Sequence, residues 1–107
     1  ETAAMPGWQV QRLPGGFHLT DYQLRRMRPD SAGAEHMVFS DGLATVSVYV
    51  ESLAADSEPL GGLSSMGAVH AFGATADGYQ VTVVGEVPAA TVEMMARSTV
   101  SAAGAGQ

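Results

Sequence analysis

Three histidines, His18, His36 and His70, are the side chains of this chain best suited to proton transfer or metal ligation. They fall on three separate stretches and show none of the HxH, HxxxH or HExxH spacings that set two imidazoles on one side of a strand or helix. Read from the residues, they are surface or strand-packing side chains. Serines and acids are plentiful enough to pick out a Ser/His/Asp set, but no serine occupies a GxSxG-type elbow. Asp30, Asp41 and Asp77 sit beside turns, where a short carboxylate helps the backbone bend. Gly15-Gly16 and Gly61-Gly62 are too short to cradle a phosphate, and the chain has no lysine to complete such a site. The six methionines (Met5, Met27, Met37, Met66, Met94 and Met95) are widely spaced, as core and interface packing requires. With no nucleophile, base and orienting group in register, the residues predict a chain that is not an enzyme, with no cofactor and no metal.

One cluster stands apart from this scatter. Arg25-Arg26-Met27-Arg28 holds three of the five basic residues, all of them arginine. Two readings stay open on charge alone: a solvated strand end that guards a sheet edge, or a positive patch facing an acidic partner or anionic headgroup. The whole chain carries a net charge of −6, which would repel a phosphate backbone and excludes nucleic acid as the expected partner.

The elements that position these residues are legible from period and punctuation. At 107 residues and 46% apolar content, one core without disulfides is expected, and the absence of cysteine removes thiol chemistry. No apolar run is long enough for a transmembrane segment, and Glu1-Thr2-Ala3-Ala4 carries no targeting signal. Residues 1–7 read as a linker, 8–100 as the domain and 101–107 as a disordered tail. Strand-like runs are predicted at Trp8–Gln11, from Phe17 through Leu24, and at Glu35–Ser40, Leu43–Glu51, Gly67–Thr75 and Tyr79–Val84. Residues 43–51 show the clearest two-residue period. Ala44, Val46, Val48 and Val50 share a face to be buried; Thr45, Ser47, Tyr49 and Glu51 share the wetter one. Asp41-Gly42 and Asp77-Gly78 are tight-hairpin signals. Residues 52–65 read as a long connection.

Pro88–Arg97 is rich in helix formers. Val92, Met95 or Ala96, and Thr99 lie at helical spacing, and Glu93 and Arg97 form an i, i+4 pair. The expected fold is therefore α+β: an antiparallel sheet of about six strands with a C-terminal helix packed on one face.

Several of these segments together resemble the C-terminal domain of the MucB/RseB family. The resemblance runs through Trp8-Gln9-Val10, Gly16-Phe17-His18-Leu19, Asp21-Tyr22-Gln23, the stretch EHMVFSDGLATVSVYVE (35–51), MGAVHAFG (66–73) and DGYQVTVVGEVP (77–88). It covers nearly all of residues 8–100 in order. Where the family pattern often carries asparagine, this chain has His70, so no shared role is carried to that position.

The resemblance implies a periplasmic negative regulator of an envelope-stress sigma factor. Such a protein binds the periplasmic segment of a membrane anti-sigma factor and shields it from site-1 proteolysis. A larger N-terminal lipid-sensing domain belongs to the same protein and is missing from this chain. For the docking surface, the candidate residues are Arg25, Arg26, Arg28 and Tyr49, with the loop after residue 51 and strand addition at a free sheet edge as further contacts. The alternative is a lipid- or glycolipid-binding periplasmic domain, which would need a solvent-open apolar cavity near Phe17, Phe39 or Phe72.

Overall fold

A computed structural model describes residues 7–25, 34–53 and 61–101, with only the backbone of Arg25. The predicted tail beyond Ser101, most of the predicted linker, Arg26 and Arg28, and the middle of the 52–65 connection lie outside the described residues.

Why the chain forms a sheet is clearest at its centre. Strand β3 (Ala34–Ser40) and strand β4 (Thr45–Ser52) pair antiparallel, and β4 pairs on its other side with β7 (Tyr79–Gly85). Three alternate residues of β4 are valines, and Val46, Val48 and Val50 are almost fully buried on one face with Met37, Phe39, Val81 and Val83 of the neighbouring strands. Each such side chain contributes about 1.5–3 kcal/mol by leaving water. The predicted faces of 43–51 are the observed ones. Strand β6 (Val69–Ala76) extends the sheet beyond β7, β5 (Gly62–Met66) forms one edge, and β2 (His18–Arg25) forms the other. The order is β2-β3-β4-β7-β6-β5, antiparallel throughout.

Helix α1 (Ala89–Arg97) lies over β6 and β7 and buries Val92, Met95 and Ala96 against them. The chain before β2 covers more of the same face, with Trp8 in the core and Leu13 and Phe17 packed against it. Trp8 meets Tyr79 edge-on with ring centroids 5.0 Å apart. The helix begins where Pro88, at φ −57° and ψ 151°, hands its carbonyl to the amide of Thr91. It ends without a glycine. The hydroxyls of Ser98 and Thr99 donate to the Met95 carbonyl at 3.1 and 2.8 Å, adding to the 3.2 Å bond it accepts from the Ser98 amide in the last turn.

The six-stranded α+β architecture matches the expectation, but its membership does not. The first run, β1 (Trp8–Val10), does not join the main sheet; it pairs with β8 (Thr99–Ser101) in a separate two-stranded sheet. Thr99, expected on the helical stripe, is buried from β8 instead. The sixth place in the main sheet belongs to β5, all but the last residue of which falls in the 52–65 stretch read as a connection. Gly67, expected to open a strand, is a turn residue at φ +61° in the two-residue hairpin between Met66 and Val69. In the second run, apolar positions switch parity between Leu19 and Tyr22. A β-bulge between Leu19 and Asp21 absorbs the switch.

The two Asp-Gly dipeptides act differently. Asp77 and Gly78 both have positive φ, 52° and 81°, and close the tight two-residue hairpin that was expected. Asp41-Gly42 instead belongs to a four-residue loop, since Ser40 pairs with Thr45. There the Asp41 carboxylate accepts from the amides of Leu43 and Ala44 at 2.9 Å each.

Those two bonds, the Ala44 amide first and Leu43 second, hold the Asp41 carboxyl below the usual carboxylate range. A lowered folded-state value means that the ionised carboxylate stabilises the fold at pH values above the unfolded one, about 4. That contribution is lost as pH falls through the lower folded value. A carbon-detected titration should find Asp41 ionising below the ordinary aspartate range; titration within that range would remove the loop's share in acid stability.

Candidate partner-binding face

The centre of the sheet face turned away from α1 is built from short side chains, with longer ones, Glu51, Gln80 and Met66 among them, toward its margins. By register it carries Val38, Ser40, Thr45, Ser47, Thr82, Val84, Ala71, Gly73 and Ser64 across five strands. Its one large aromatic, Tyr49, stands 38% exposed on β4. His36 lies directly opposite on β3, and the two rings stack 4.3 Å apart at 9°. The His36 Nε2 is buried without a hydrogen-bond partner among the described residues, a deficit of about 1–3 kcal/mol for a polar atom removed from water. The pair gives the face a rigid, half-wet aromatic platform suited to a protein contact.

Of the residues expected at the docking surface, Tyr49 is on this face. Arg25 closes β2 opposite Ala34, which in turn lies opposite Glu51, so its backbone position falls two rows from the Gln23–His36–Tyr49 row, with the Leu24–Glu35–Val50 row between. Two strand spacings separate Arg25 from Tyr49's strand, roughly 10 Å. Arg26 and Arg28 lie outside the described residues, so the cluster as a whole has no described geometry.

Reading the sequence missed His36 as Tyr49's partner. The signal lay in the 41–44 loop: with a two-residue turn at Asp41-Gly42, Ser47 would stand opposite His36, and only the longer loop brings Tyr49 there.

A second feature lies on the helix side. Arg12, Ala90, Glu93, Met94, Arg97 and Ser98 line an open groove of about 390 Å³. Arg97 Nε donates to Glu93 Oε2 at 2.8 Å, the i, i+4 pair that was expected, and its guanidinium sits 5.1 Å from the Phe72 ring centroid. Both partners are well exposed, so the pair adds little to stability. The arginine here is already neutralised and stacked.

The third feature is the β5 edge, where Leu63 and Met66 are exposed beside a depression of about 220 Å³.

Two further titratable side chains, His70 and Tyr22, are tied into the fold. His70 Nδ1 lies 2.9 Å from the Val87 carbonyl, an atom that only accepts, so that nitrogen carries the proton and ties β6 to the approach of α1. Burial, with the charge and hydrogen bond of Glu35 after it, raises the Tyr22 phenol above its ordinary value. Among the described residues no three of His, Asp and Glu gather in a metal-binding group. No helix there is long and apolar enough to cross a membrane. Phe39 and Phe72, considered for a lipid cavity, are buried in the packed core, and Phe17 packs against it.

Comparison with known proteins places this geometry in a family context. The family model described as the MucB/RseB C-terminal domain matches residues 2–100. The sigma factor AlgU regulatory protein MucB of Pseudomonas aeruginosa is 40% identical over 96 residues, which are 85% of this chain and 30% of that protein. The solved Pseudomonas aeruginosa MucA/MucB complex contains a chain similar over 94% of this one and 36% of its own length, at 34% identity and a TM-score of 0.75. A crystal structure of MucB with MucA(peri) gives 32% identity and a TM-score of 0.73, covering 92% of this chain and 37% of that one. The chain thus spans about a third of the length of the relatives it matches.

Proposed function

Because this chain belongs to the MucB/RseB C-terminal domain family, we propose that it is a regulatory binding module for the periplasmic segment of a membrane anti-sigma factor. Holding that segment shields it from site-1 proteolysis and keeps the envelope-stress sigma factor captive. On this reading the domain works in the periplasm beside a larger lipid-sensing domain of the same protein, with residues 8–100 as the folded unit. The observation that carries it is the pair of MucB complexes with MucA or MucA(peri), each similar to this chain over more than nine-tenths of its length. The open sheet face supports it, since Tyr49 offers an aromatic contact among side chains too short to obstruct a partner. Arg25, Arg26 and Arg28 are three of the five basic residues in an otherwise acidic chain, and such a concentration of positive charge suits an acidic partner.

Calorimetry of this chain against the periplasmic segment of the cognate anti-sigma factor, with and without the larger domain, tests the reading. Binding and slower site-1 cleavage are expected. Alanine at Arg25, Arg26 and Arg28 together should weaken binding by up to about tenfold at low salt, and by less as salt screens the charges. An unchanged affinity would remove the arginines from the docking surface, and no binding with or without the larger domain would end the proposal.

A lipid- or glycolipid-binding role for this domain alone would draw on Phe17, Phe39 or Phe72. With Phe39 and Phe72 in the core, nothing in the described residues favours it.

A further inference from the structure

Sheet edges that stay monomeric are usually guarded by charge, proline, a bulge or a covering segment, because an open edge offers unpaired backbone to any extended chain. The two edges of this sheet differ in that respect. Strand β2 carries a bulge between Leu19 and Asp21, and its sequence includes Asp21 and Arg25. Among the described residues strand β5 has none of these devices: it is uncharged and exposed at every residue and pairs with β6 in unbroken register, with only Gly62 at its start standing at positive φ, +85°. From Gly61 through Thr75, across β5 and most of β6, there is no acidic or basic residue except His70.

We propose that the free edge of β5 is where this domain holds its partner, by taking up an extended, uncharged segment of the anti-sigma factor's periplasmic part as a seventh strand. This rests on the reading above that such a segment is the partner, and adds where and by what chemistry it is held.

The register says which groups do the work. The two-residue turn at Gly67-Ala68 makes Met66 and Val69 a hydrogen-bonded pair. Alternation along an antiparallel ladder then points the backbone N–H and C=O of Leu63 and Ser65 away from β6, toward the open side. Side chains add specificity on both faces. Leu63, 54% exposed, lies on the helix-side face, and Met66, 83% exposed, lies on the open face. Gly62 stands opposite Gly73, and the missing side chains leave the depression lined by Ser64, Ala71 and Thr82. An added strand with an apolar side chain at alternate positions would fill it.

A second copy of this chain fits the edge less well. Two-fold pairing over the full length of β5 sets Leu63 against Ser65 and Met66 against Gly62, with no apolar pair across the join. It also brings together two chains of net charge −6 without a basic residue at the contact.

Hydrogen exchange on the unmodified chain, with and without the cognate periplasmic segment, tests this directly. Binding should slow exchange of the Leu63 and Ser65 amides by tenfold or more, about the protection one made hydrogen bond gives, and leave the β2 edge unchanged. Ser65→Pro removes only an outward-facing donor and no bond to β6, and should weaken binding by roughly tenfold while the circular-dichroism spectrum is retained. A bound complex in which Leu63 and Ser65 exchange as in the free chain overturns the edge assignment alone, as does a folded Ser65→Pro chain that binds normally. No binding by the unmodified chain, alone or with the larger domain, overturns the partner reading as well. Protection of these amides by self-association, without the segment, replaces the partner with a second copy and also overturns the proposal.

Discussion

Gly85→Ala is expected to destabilise the domain by about 2 kcal/mol and lower its Tm by roughly 10 °C, as an overpacked site does in a domain of this size. Gly85 ends β7, buried between Val46 of β4 and His70 of β6. A Cβ at this position would lie 2.9 Å from the Thr45 carbonyl oxygen, 3.0 Å from Val46 Cγ2 and 3.2 Å from Val46 Cα. Two of these three atoms are backbone of a central strand and cannot rotate away. Relief requires β4 and β7 to part at the end where Ser40 and Thr45 begin the neighbouring hairpin. Gly85 does not have a positive φ, so the penalty is one of space and not of backbone conformation. Gly15→Ala is the control: nothing lies within 4 Å of its Cβ position, and its Tm should match the parent. Thermal unfolding followed by circular dichroism checks both. An unaltered Tm for Gly85→Ala would mean the β4–β7 junction is looser than its distances indicate.

Met95→Ala should cost more, about 2–4 kcal/mol, because a fully buried side chain is replaced by a cavity that its neighbours only partly fill. Met95 is the central residue by which α1 is seated on the sheet, between Val92 and Ala96. Alanine is the better helix former, so any loss measures burial and not helix propensity. The backbone carbonyl of residue 95 keeps its bonds from Ser98 and Thr99 in the variant, which leaves β8 attached. Met66→Ala removes the same atoms from a solvent-exposed position on β5 and should change stability by less than about 0.5 kcal/mol. Urea unfolding of the three chains gives the comparison. Equal losses at residues 66 and 95 would contradict the division of the methionines between core and surface.

That division bears on function. Met37 and Met95 are spent in the core, whereas Met66 and Leu63 face solvent on a strand with no charge to guard it. A chain selected only to fold has no need of apolar side chains there. The helix side and the β3–β4–β7 centre carry stability, which leaves the open face and the β5 edge free for recognition.

Much of this was legible in residue order. The valines at 46, 48 and 50 announce a buried face because side chains alternate along a strand, and no tertiary contact is needed to see it. Asp77-Gly78 closes a tight hairpin because both residues tolerate positive φ. Val92, Met95 and Ala96 declare the apolar side of a helix by the same kind of local periodicity, and the segments from Trp8 to Pro88 carry the family resemblance in their order along the chain.

Tertiary structure decided the rest. Gly62-Leu63-Ser64-Ser65-Met66 has loop composition, and it is a strand because the regular ladder of β6 offers it partners. Thr99 keeps helical spacing yet belongs to β8, because hydroxyl groups close the helix and Trp8–Val10 stands ready to pair. His36 meets Tyr49, and not Ser47, through two further residues in one loop. Periodicity is a property of neighbouring residues and can be read along the chain, whereas pairing, register and the identity of an edge depend on which distant segments close upon each other.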